Sequence, residues 1–131
     1  LEKLKSCLQK LEPLSSKTLD EIEADLYLKD IIERNLEVAA QCVLDISSRV
    51  ISEMEGDRPT DYFTSIQILG DLQVLPKTFA SKLAPLAGLR NLLVHQYLEL
   101  NWKQIREHLK NLSDFYQFIE YIQKWQLNRK K

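Results

Sequence analysis

From about Asp20 to Glu55 the chain carries apolar residues at Ile32, Leu36, Ala39, Val43, Ile46 and Val50, spaced 4-3-4-3-4. That spacing keeps them on one side of an α-helix. At 1.5 Å per residue such a helix spans roughly 50 Å. A compact domain of this length has a radius of gyration of about 14 Å. The segment is therefore either kinked or longer than its own domain can cover, and this limits the fold more than anything else in the sequence.

The remaining segments follow the same period. Leu4, Leu8 and Leu11 mark a short amphipathic helix over residues 1–11, and Pro13 with Ser15 and Ser16 interrupts it. The stretch "GDRPT" (56–60) reads as a loop, with Thr60 as the N-cap of a helix reaching about Leu69 and Gly70 as its end. Pro76 suits the first turn of a helix running to about His95 or Tyr97, with a kink at Pro85. Asn101 and Gln104 have capping-box spacing for a last helix to about Leu127, followed by a frayed "NRKK". Strict alternation is nearly absent, and three glycines and four prolines in 131 residues are few. These features predict an all-α chain and one domain over residues 1–131.

The net charge is −1, so no global basic field advertises nucleic acid, although a local patch or one made by pairing two chains stays open. Apolar content of 44% and charged content of 28% suit a soluble globular protein. No signal peptide and no membrane span are expected, because no apolar run of about 18 residues occurs. Cys7 and Cys42 lie in helical patterns and read as two buried thiols in a reducing cytoplasm.

The stretch "GLRNLLVHQYLEL" (88–100) sets polar groups in apolar surroundings, where they are costly unless paired. With Arg90 at zero on an ideal helix, Leu86, Leu89, Leu92 and Leu93 fall between roughly 200° and 320°, a core face. Arg90, Asn91 and His95 fall between 0° and roughly 140°, opposite it, together with Ala87, Val94 and Leu98. The long helix also shows a second stripe: Leu28, Ile31, Asn35, Val38, Cys42, Asp45 and Arg49. Two helices with two semi-apolar faces each imply a homodimer with those faces at the interface. The other reading is that short peripheral helices cover them.

An arginine fork grips phosphate, and a histidine moves protons near neutrality. Together they suit metal-independent cleavage of RNA, in which the ribose 2′-hydroxyl attacks the neighbouring phosphorus. One histidine per chain is thin for a reaction needing both acid and base, and a dimer supplies two copies. Asn91, four residues before His95, is placed to orient it. Taken singly, each feature has a plainer reading. Arg90 and His95 can be structural, Tyr97 an aromatic at a helix end, and Asp45–Arg49 a helix-surface ion pair. His108, in "REHLKN", reads as a surface residue.

The segment "LRNLLVHQY" resembles the Arg-x4-6-His signature of HEPN domains, and with Tyr97 the Arg-x4-His-x-Tyr form of the HepT-like toxins of HEPN/MNT toxin–antitoxin systems. "ERNLEVAAQCVLDISSRVIS" and "LSDFYQFIEYI" are similar to that family's long second helix and last helix. The resemblance implies an antiparallel HEPN bundle of about four to five helices, homodimeric, with a metal-independent endoribonuclease site at the dimer interface and no cofactor. It implies Arg90 and His95 as the catalytic pair and Asn91 as their polar companion. It places Asp45 where the family often has an Asp, in a supporting role. It also implies an MNT-type nucleotidyltransferase antitoxin that transfers AMP to Tyr97, adding bulk and negative charge beside the pair. A rival class within the same resemblance is a non-catalytic, substrate-binding partner of a minimal nucleotidyltransferase. A third reading is a purely structural helical dimer. No base-reading module is visible, and transfer RNA is the family's candidate substrate. The tail "NRKK" and the amino-terminal lysines are either an electrostatic guide for RNA or simply solvated.

Overall fold

A computed structural model describes residues 1–55, 64–95 and 102–129. Among them are α1 (Glu2–Leu11), a 3₁₀ turn (Glu12–Leu14), α2 (Leu19–Glu23), α3 (Leu26–Glu55), α4 (Ser65–Asp71), α5 (Lys77–Leu83), α6 (Leu86–His95), α7 (Trp102–Lys110) and α8 (Leu112–Arg129). No strand occurs among the described residues. The loop 56–60, with the proposed Thr60 cap, and Asn101 lie outside them.

The chain is all-α, as its periodicity predicts, but three expected helices are each divided in two. The long helix starts at Leu26 and not at Asp20. Thr18 caps α2 in a full capping box with Glu21: the Thr18 hydroxyl accepts from the Glu21 N–H, and the Glu21 carboxylate accepts from the Thr18 N–H. Asp25 then accepts from the N–H groups of Tyr27 and Leu28 at 2.9 and 3.3 Å and opens α3 anew. The expected kink at Pro85 is a full break between α5 and α6, because proline has no N–H to donate and its ring crowds the preceding turn. The last helix is divided at Asn111, whose side-chain amide donates to the Glu107 carbonyl at 2.9 Å and so competes with the backbone ladder.

Gly70 does not end α4 but lies inside it, and the turn follows at Gln73, which has φ of 63°. A Cβ at Gly70 would stand 2.8 Å from the Ala80 Cβ, so the absence of a side chain lets α4 and α5 cross closely.

The core lies where α1, α4 and α6 pack against α3, and α8 adds Leu112, Phe115, Phe118, Ile119 and Ile122 to it. Leu4, Leu8, Leu36, Val43, Leu44, Ile66, Leu69, Leu93, Ile105, Phe115 and Phe118 are buried in it. Of the predicted α3 stripe, Ile46 is half-buried and the rest are buried. The buried arc is wider than one stripe, since Ala40, Leu44, Ser47 and Ile51 are also covered. The second stripe forms the edge of that arc. Leu28, Asn35, Val38 and Cys42 are half-buried, Ile31 is 43% exposed, and Asp45 and Arg49 are exposed.

Polar contacts join the outer helices. Arg106 donates to the Lys17 carbonyl at 3.0 Å, Lys82 pairs with Asp114 at 3.1 Å, and Arg129 pairs with Glu53. Arg49 lies 3.9 Å from Glu53 instead of forming the expected pair with Asp45. Cys7 is buried and Cys42 half-buried, both are free thiols, and burial raises the pKa of each. Among the described residues no helix is long and apolar enough to cross a membrane.

Candidate active site

The site begins with how α6 meets α3. Leu86, Ala87, Leu89 and Leu93 are buried, whereas Gly88 and Asn91 are exposed. The expectation that Ala87 lies on a far face with Arg90 is overturned. On an ideal helix the packed arc runs from Leu89 at roughly 260° to Ala87 at roughly 60°, and Arg90 sits inside it. Arg90 is therefore half-buried and faces α3, and Asn91 lies on the open side.

A long polar side chain inside a packed arc needs a partner. Arg90 Nε donates to Gln41 Oε1 on α3 at 2.6 Å. Gln41 Nε2 in turn donates to Asp45 Oδ1 at 3.0 Å, one helical turn on. The guanidinium of Arg90 and the carboxylate of Asp45 are thus joined through a neutral amide. Gln41 and Asp45 lie at roughly 180° and 220° on α3 when Ile32 is set at zero. The second stripe continues from roughly 220° to 320°, so the candidate site adjoins that half-covered surface.

The backbone of α6 ends at His95, whose side chain is outside what the structure describes, and Tyr97 lies outside the described residues. Of the sequence-derived residues, the structure brings Arg90 and Asp45 together and sets Asn91 on the neighbouring open surface. Gln41, which links Arg90 to Asp45, was missed from the sequence. Its i, i+4 spacing to Asp45 was the one signal, and glutamine on a long helix is too common for that to single it out. Among the described residues no three His, Cys, Asp or Glu side chains gather into a group that could hold a metal ion.

His108 belongs elsewhere, and the expectation of a surface residue is corrected. It is half-buried in a cleft lined by Leu83, Pro85, Leu86 and Phe115, with Glu107 and Asp114 nearby. Burial lowers its pKa from the usual 6.5, and Asp114 and Glu107 oppose the shift.

The all-α bundle, with its Arg-bearing helix packed on one long helix, is the HEPN fold. A solved structure of a tri-AMPylated HEPN toxin of Shewanella oneidensis in complex with an MNT antitoxin matches it with a TM-score of 0.82 at 24% identity, over 94% of this chain and 92% of that one. A toxin–antitoxin crystal structure with AMP-PNP matches with a TM-score of 0.83 at 23% identity, over 94% and 93%. A tRNA nuclease HepT of Aphanizomenon flos-aquae is 30% identical over 105 residues, 80% of this chain and 71% of that protein. An mRNA nuclease HepT of Shewanella oneidensis is 25% identical over 120 residues, 91% and 90% of the two chains. The model of the family described as ribonuclease HepT-like matches residues 4–122, and the chain belongs to that family.

Proposed function

We propose that this chain is a metal-independent endoribonuclease toxin, active as a homodimer and working in the cytoplasm. On this reading Arg90 and His95 are its catalytic pair and Asn91 and Asp45 its supporting residues, all within a single HEPN domain over residues 1–131. The observation that carries the reading is Arg90. It is half-buried, anchored through Nε where α6 packs on α3, and set next to the half-covered stripe of α3. The membership in a ribonuclease family and the sequence Arg90-x4-His95-x-Tyr97 support it.

The chemistry follows from these groups. The ribose 2′-hydroxyl attacks the adjacent phosphorus while one His95 takes its proton. The bond from phosphorus to the 5′-oxygen breaks, and the leaving oxygen receives a proton from the second His95 of the dimer. The Arg90 guanidinium stabilises the extra negative charge on the phosphorus oxygens as the reaction proceeds. The products are a 2′,3′-cyclic phosphate and a 5′-hydroxyl end. Among the relatives one is named a tRNA nuclease and another an mRNA nuclease, and transfer RNA is the first substrate to test.

The partner on this reading is an MNT-type nucleotidyltransferase antitoxin that transfers AMP to Tyr97. Each AMP adds bulk and negative charge two residues from His95, where an RNA phosphate must sit. The tri-AMPylated state of the Shewanella oneidensis toxin supports this reading.

The purified protein should cleave bulk transfer RNA in excess EDTA, leaving cyclic phosphate ends and sparing DNA. Arg90→Ala and His95→Ala should each slow it by about 100-fold or more. Undiminished cleavage by both variants would exclude the mechanism. Incubation with the antitoxin and ATP should raise the mass by whole multiples of one AMP, and Tyr97→Phe should prevent it. Labelling that persists in Tyr97→Phe would reject that residue as the acceptor.

A further inference from the structure

The contact between Arg90 and α3 uses Nε and not the forked Nη edge. An arginine recognises phosphate through parallel N–H groups, so the way the guanidinium is anchored decides which edge faces a ligand. Gln41 Oε1 takes Nε at 2.6 Å. The acceptor is neutral, so it orients the guanidinium without cancelling its charge. A carboxylate at the same place would form an ion pair and compete with the RNA phosphate.

An amide has two ends of nearly equal shape, and only one suits this contact. If the Gln41 side chain turned over, its NH₂ would face the guanidinium, donor against donor. Asp45 prevents this by accepting from Gln41 Nε2 at 3.0 Å, which leaves Oε1 towards Arg90. All three residues are carried by regular helices that pack together, α3 and α6, so the relay is built on rigid elements.

We infer that Gln41 is a positioning residue for the ribonuclease reaction: it holds Arg90 by Nε across the α3–α6 contact, and Asp45 fixes the orientation of its amide. The inference rests on the ribonuclease reading above and gives Asp45 its part in it. The Asp45 carboxylate reaches Arg90 through Gln41, with one neutral amide linking the two charges.

The test uses Gln41→Glu, which keeps the shape of the side chain and adds a charge, and Gln41→Met, which keeps the length and removes the acceptor. Both should melt within a few degrees of the parent. Both should cleave bulk transfer RNA in EDTA about 10- to 100-fold more slowly under single-turnover conditions at saturating RNA, the range expected for a misplaced transition-state contact. The salt dependence of transfer RNA binding, measured in the His95→Ala background, separates positioning from general structure. Gln41→Glu should lower its slope by about one phosphate contact for each Arg90 engaged, and Gln41→Met should leave it unchanged.

Parent-like rates in both variants, with Arg90→Ala inactive, would overturn this inference and leave the ribonuclease reading standing. Full activity of Arg90→Ala and His95→Ala would overturn the reading, and this inference with it. If Gln41→Glu fails to fold, the rate of Gln41→Met decides alone: slowing supports the inference and a parent-like rate overturns it.

Discussion

At the scale of the residue, His108 shows how packing overrides sequence context. Its neighbours in "REHLKN" are polar apart from Leu109, yet Pro85, Leu86 and Phe115 from elsewhere in the chain close round it. Burial lowers its pKa, with Asp114 and Glu107 opposing and Lys82 also lining the cleft. The sign is that of a group whose neutral form the fold favours. The associated stability is present above the unfolded value of about 6.5 and is lost as pH falls from there through the folded pKa, because the unfolded chain binds the proton more readily in that window. Urea unfolding at pH 7.5 and pH 5.5 should therefore differ less for His108→Gln than for the parent. Equal pH slopes in the two proteins would refute this. Arg90 teaches the converse: the sequence marked it, but placed it opposite the core. Its actual position within the packed arc depends on α3 lying against that side of α6.

At the scale of the element, the sequence showed helices reliably and their interruptions poorly. Apolar period survives a break, because residues on either side of Asp25, Pro85 or Asn111 still face one core. The breaks themselves come from single polar or imino groups, two of which are common surface residues whose side chains happened to bond the backbone. Glycine shows why position within an element matters. Gly70→Ala would bring a methyl group to 2.8 Å from the Ala80 Cβ, a clash between two short groups that cannot swing away. Overpacking costs about 1–3 kcal/mol, more than the roughly 0.5–1 kcal/mol that alanine returns in a helix. Gly70→Ala should therefore lower the unfolding free energy by about 1–2 kcal/mol. At Gly88 a Cβ would meet nothing within 4 Å, and Gly88→Ala should raise stability by about 0.5 kcal/mol. Urea titration with an unchanged m-value checks both, and a stabilising Gly70→Ala would contradict the close crossing of α4 and α5.

At the scale of the whole molecule, the proposed dimer follows from surface that one chain leaves half-covered. Ile31 is 43% exposed, and Leu26 and Tyr27 beside it are 75% and 81% exposed. The stripe leads from these residues through Val38 and Cys42 to Asp45, next to Arg90. The protein should sediment at twice its chain mass of 15.4 kDa. Ile31→Glu combined with Val38→Glu should give a monomer that cleaves RNA at least about tenfold more slowly, since each site would lack the second histidine. A parent protein that is monomeric at micromolar concentration and fully active would rule out the shared site. Read alone, the amino-acid order determined the helical class, the length of the central helix to within a turn or two, and the identity of the Arg–His–Tyr motif. These depend on periodicity and on local spacing, which neighbours in sequence carry by themselves. Tertiary packing alone decided which way Arg90 faces, that Gln41 meets it, and that His108 is covered. Each of these depends on atoms from helices far apart in the chain, 49 positions in the case of Gln41 and Arg90, and no local pattern records such a meeting.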